Sequence, residues 1–143
     1  MISRDILIQV KQYLCWDLFQ DLSIQLIEVQ GSVSYFFAPQ DDRSTILLFL
    51  KPTDGDYSES LFLLLHEVGH YLAYKLLKQS NDESQYWQTL NEVSGPDKLQ
   101  FERVAWERGR EFFERFIEQE ALTVGDLLAD YDVFAQRSLH TYA

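Results

Sequence analysis

His66-Glu67-Val68-Gly69-His70 places two imidazoles four residues apart, with a carboxylate beside the first, inside an apolar run from Leu61 to Leu77. On a helix, residues four apart share one face about one turn apart, so both rings can aim a nitrogen at a single ion. Zinc accepts neutral imidazole at about 2.0 to 2.1 Å, and a catalytic zinc keeps three protein ligands and leaves its fourth position to water. Glu67 stands roughly 100° around the helix from His66, at the edge of the metal face. There a carboxylate takes a proton from zinc-bound water instead of ligating. This spacing suits metal-assisted hydrolysis of a peptide bond. Two histidines and a glutamate within an apolar helix are costly to bury without a shared partner. Gly69, worth about 1 kcal/mol less than Ala in a helix, points to a packing demand at that position.

A third ligand is sought in the long helical pattern from Lys98 to Glu120, which holds several carboxylates. With Glu102 set at 0° and steps of roughly 100° per residue, Ala105, Trp106, Gly109, Phe113 and Phe116 fall on its side. Glu107, Glu111, Glu114 and Glu118 fall opposite, on a wet acidic face. Glu102 is therefore a carboxylate on an apolar stripe, which needs a partner such as zinc. Arg103 and a helix-end group are alternative partners for Glu102, and His140 is a second candidate for the third ligand. Ala105 and Gly109 on this helix, with Gly69 and Ala73 on the metal helix, would let the two approach closely.

The elements that must position these groups are read from periodicity. Ile6, Leu7, Val10, Leu14 and Leu18 recur at helical spacing after Ser3, a plausible cap. Ile24 to Val29 is strand-like, Gln30-Gly31-Ser32 breaks it, and Val33 to Ala38 follows, a pair resembling a hairpin. After the polar loop Pro39 to Ser44, the apolar run Thr45 to Leu50 suits a central or well-covered strand. Lys51 to Tyr57 is a turn, and Ser58 or Ser60 can cap the metal helix. Asn81 to Pro96 is polar, with Tyr86, Trp87 and Leu90 able to form a short helix, and Pro96 and Asp97 open the Lys98 helix. Thr123-Val124-Gly125-Asp126 resembles a capping box for a last helix to about Leu139.

A chain of 143 residues with 46% hydrophobic and 15% aromatic content suits one domain, residues 1–143, with a sizeable core. Its net charge of -11, without a basic cluster, makes nucleic acid a poor partner. Met1 to Val10 lacks the pattern of a signal peptide, and the apolar runs are too short or interrupted to span a bilayer. Cys15, alone and set among Tyr13, Leu14 and Trp16, reads as packing and not as a nucleophile, and it fits a reducing cytoplasm.

His66-Glu67-Val68-Gly69-His70 together with Glu102-Arg103-Val104-Ala105-Trp106 resembles the zincin superfamily of metallopeptidases, and distantly the small gluzincin-like proteins of the ImmA/IrrE type. The resemblance implies His66, His70 and Glu102 as zinc ligands and Glu67 as general base. It also implies a minimal α+β fold, with a small antiparallel or mixed sheet of about three strands packed on the HExxH helix and further helices. The strand Thr45 to Leu50 would lie at the cleft. The expected activity is zinc-dependent peptidase action on a peptide or protein substrate. Tyr71, Tyr74, Tyr86, Tyr131 and His140 are possible donors to an oxyanion. The alternative is a non-catalytic zinc-containing interaction protein, against which Glu67 argues, since a structural site needs no base and closes its fourth position with Cys or His.

Overall fold

The computed structural model describes residues 1–28, 33–37, 43–50, 55–120, 122 and 126–143. Five α-helices and a mixed sheet of three strands make an α+β fold among these residues. They form two compact units, Met1–Glu67 and Val68–Ala143, and the boundary falls inside one unbroken helix. The expected positions of Val29, the break at 30–32, Ala38, the loop 39–42, the turn 51–54 and the segment 123–125 lie outside the described residues.

In the first unit, α1 (Arg4–Gln12) opens on Ser3, whose hydroxyl accepts the N–H of Ile6 at 3.3 Å. Leu7, Val10 and Leu14 form its buried stripe, continued through a π-helical turn at Tyr13–Leu18 that leaves Leu18 exposed. Strands β1 (Leu22–Glu28), β2 (Val33–Phe37) and β3 (Ser44–Leu50) follow. The order is β1-β3-β2, with β1 parallel and β2 antiparallel to β3. The expected hairpin between β1 and β2 is therefore replaced by two separate pairings with β3. The reason lies in β3 itself: its run Ser44–Leu50 buries every second residue, Ile46, Leu48 and Leu50 among them. Taking the central position gives the backbone of this most apolar strand partners on both sides.

Helix α2 (Ser58–Gln79) is pinned at its start by the chain's first residues. Asp56 Oδ1 accepts the N–H of Ile2 at 2.8 Å and that of Ser58 at 3.0 Å, and it also takes the Ser58 hydroxyl. Tyr57 returns its N–H to the Ile2 carbonyl at 2.8 Å. Neither Ser58 nor Ser60 caps the helix, since both lie within it and Asp56 takes the first N–H. Burial works to raise the Asp56 carboxyl, but the Ser58 hydroxyl and the two N–H groups outweigh it and hold it below its ordinary value.

In the second unit, the chain turns away from α2 at Asn81, whose φ of 61° is left-handed and lets Asp82 N–H reach the Leu77 carbonyl at 2.7 Å. Helix α3 (Glu83–Asn91) buries Tyr86 against the rings of Tyr74 and Phe101. Helix α4 (Pro96–Gln119) has Pro96 in its first turn and buries Lys98, Glu102, Ala105, Trp106, Gly109, Phe113 and Phe116. Helix α5 (Leu127–Leu139) starts on Asp126, whose carboxylate accepts the N–H of Ala129 at 3.1 Å. Tyr131 on α5 donates its phenol to the Trp106 carbonyl at 2.7 Å, and Arg110 on α4 grips Asp132 at 2.8 Å. Among the described residues no helix is long and apolar enough to cross a membrane.

Candidate metal centre

Helix α2 carries His66, Glu67 and His70 in its middle, where one turn of unbroken helix fixes the two imidazoles relative to each other. His66, His70 and Glu102 are respectively 7%, 5% and 4% exposed, so each polar group has left water and must find its partner within the protein. One donor atom from each of the three lies within 4.8 Å of the others. The closest approach is His70 Nε2 to Glu102 Oε2, at 2.9 Å.

Gly69 makes the approach of α4 possible. A Cβ built there would stand 2.0 Å from the Ala105 carbonyl oxygen and 2.7 Å from Ala105 Cα, both backbone atoms that cannot swing aside. Glycine at 69 and alanine at 105 thus let the two helix backbones touch three residues beyond Glu102 on α4, which brings that carboxylate to His70. Phe101 packs against His70, ring centroids 4.9 Å apart.

Two imidazole nitrogens and one carboxylate oxygen, buried and close together, are a group that could hold a single metal ion. Glu67 stands outside this group. Its Oε1 accepts the hydroxyl of Ser34, on β2, at 3.0 Å, so the carboxylate is oriented from the sheet. The strand that reaches Glu67 is therefore the edge strand β2; the strand next to the helix in sequence, β3, is central.

The other residues of interest are placed as follows. His140 is exposed at the end of α5 and does not belong to the three-residue group. Arg103 is exposed and donates to Gln100, while Glu102 pairs with Lys98, Oε1 to Nζ 3.2 Å. Tyr71 accepts a hydrogen bond from Lys75 at 3.1 Å, and Tyr74 and Tyr86 pack edge to face at 5.2 Å. Tyr131 is held on Trp106 O, and burial, helped by the neighbouring Asp132 carboxylate, pushes its phenol far up. Cys15 is half-buried, and burial raises its thiol.

Sequence reasoning missed two residues here. Lys98 carried a readable signal, since it lies one turn before Glu102 on the same face. Ser34 carried none, because its contact with Glu67 joins a strand to a helix 33 residues away. Comparison of the chain with protein families, with curated proteins and with solved structures gives no match.

Proposed function

We propose that this protein is a zinc-dependent peptidase of zincin type, with His66, His70 and Glu102 holding the ion and Glu67 as general base. The observation that carries the reading is the convergence of three buried donors from two helices, with a second carboxylate, Glu67, beside them yet outside the group. A zinc ion bound there supplies a Lewis acid that lowers the pKa of water toward 7 and polarises a scissile carbonyl. Glu67 accepts the proton of the attacking water and delivers it to the leaving amine. Ser34, by occupying Glu67 Oε1, leaves the other oxygen for that transfer. Zinc is favoured over other ions because two imidazoles and one carboxylate suit its borderline character and its tetrahedral geometry. The substrate is a peptide or protein, and a cytoplasmic setting agrees with a lone cysteine.

The test compares wild type with Glu67→Gln for zinc content and for cleavage of an unstructured protein such as casein. Zinc retained by both with activity lost by about a hundredfold or more in the variant supports the reading. Equal cleavage by both rules out Glu67 as base. Zinc held by both without cleavage by either assigns the centre to a non-catalytic protein.

A further inference from the structure

Lysine is almost never fully buried unless it is paired. Lys98, 6% exposed, is paired on several sides. Its ammonium donates to the Leu90 carbonyl at 3.1 Å and contacts Glu102 Oε1 at 3.2 Å. It also stands 5.3 Å from the centre of the Phe101 ring and 5.6 Å from that of Tyr142. The start of α4 is shaped to make this cage. Gly95 has a φ of 115°, open to glycine, and sends its N–H to the Tyr142 carbonyl at 3.2 Å, which ties the C-terminal turn beside Lys98. A carbonyl from α3 and two aromatic faces thus hold the ammonium independently of Glu102.

The two oxygens of Glu102 thus meet different neighbours: Oε1 lies 3.2 Å from Lys98 Nζ, and Oε2 lies 2.9 Å from His70 Nε2. We propose that Lys98 is a positioning residue of the metal centre, holding Oε1 so that Glu102 offers the ion a single oxygen and a coordination position stays open for water. This rests on His66, His70 and Glu102 being metal ligands. A carboxylate with both oxygens free can grasp an ion with both, which fills the position that hydrolysis needs. Partners that orient ligands from behind in this way are a recurrent part of metal sites. A neutral donor, such as a hydroxyl or an amide N–H, would leave the carboxylate charge unbalanced inside the protein, whereas an ammonium balances it as well as steering it.

The probe is cobalt(II), titrated into metal-free full-length protein and followed by its visible absorption, which weakens as ligands are added. Wild type, Lys98→Met and Lys98→Gln are compared, with circular dichroism showing which variants are folded. Lys98→Met is expected to lose much of the wild-type cobalt intensity, as Glu102 closes on the ion with both oxygens. Lys98→Gln, whose amide still donates to Oε1 without the charge, is expected between the two. A lysine that only packs the helix start would leave the cobalt spectrum unmoved. Wild-type absorption in each variant that folds overturns the inference while leaving the metal centre intact. Failure of wild type to take up cobalt overturns the metal-centre reading and this inference with it.

Discussion

Two of the ion pairs made by helix α4 share similar chemistry in different surroundings. Lys98 and Glu102, near its start, are 7% and 5% exposed at the side chain; Arg110 and its partner Asp132, further along, are 37% and 47% exposed. The exposed pair has the better geometry, with two hydrogen bonds of 2.8 and 3.2 Å from one guanidinium to one carboxylate. That bond to Asp132 raises the Arg110 guanidinium above its ordinary value against the small loss from burial. A surface clasp of this kind ties α5 to α4 at little cost, because water solvates both groups when it opens. The buried pair has no such release. Taking both charges out of water costs as much as their attraction returns, so stability alone does not account for it. One half of α4 therefore serves the scaffold, and the other accepts an electrostatic cost to present a carboxylate to His70.

That contrast is broken most severely by single substitution at the buried pair. In metal-free protein, Lys98→Met should cost about 3 to 5 kcal/mol by removing the ammonium that balances the buried Glu102 carboxylate, while the double variant Lys98→Met with Glu102→Leu should recover most of it. Chemical denaturation of the four proteins of this cycle measures both. A loss below 1 kcal/mol for the single variant, on the order of a surface pair, would erase the distinction. Next in size is Gly69→Ala, which tests whether close helix approach brings the buried pair to its place. The Cβ meets the Ala105 backbone, and the cost should reach about 3 kcal/mol, outweighing the roughly 1 kcal/mol gained in helix propensity. Stability equal to or above wild type in thermal melts would show that the helices can separate freely. The smallest effect belongs to the clasp: the coupling of Arg110 to Asp132 in a double-mutant cycle should be roughly 0.2 to 1 kcal/mol and shrink in 1 M salt. Coupling above that range and insensitive to salt would place this pair in the same class as the buried one.

How far the site could be read from sequence follows the same division between local and tertiary causes. Glu102 stood out among the carboxylates of α4 because a helix repeats at a fixed angle, and its face is indeed the one buried, with Ala105, Gly109 and Phe113. Gly69 was legible as a packing residue because glycine has a known cost within a helix, and its contact with Ala105 supplies the reason. The alternation in β3 was legible for the same local reason. Strand partnership was not: periodicity describes one strand at a time, and nothing in 22–37 states that β1 and β2 would each pair with β3. Asp56 takes the first N–H of α2 from only two residues away, a local signal, whereas its bond to Ile2, 54 positions away, is not legible in the sequence. Ser34 escaped for the same reason.

The bond between Ile2 and Asp56 has a practical side. Both main-chain groups of Ile2 are engaged, its N–H with Asp56 and its carbonyl with Tyr57, while Met1 beside it is 74% exposed. An affinity tag joined at Met1 can leave through solvent and spare this knot, but trimming the chain past Ile2 would cut the mooring of the helix that carries Glu67. Expression vectors for this protein should therefore keep residues 1–3 intact, and a shortened version that melts at lower temperature should be examined first for a loosened start of α2.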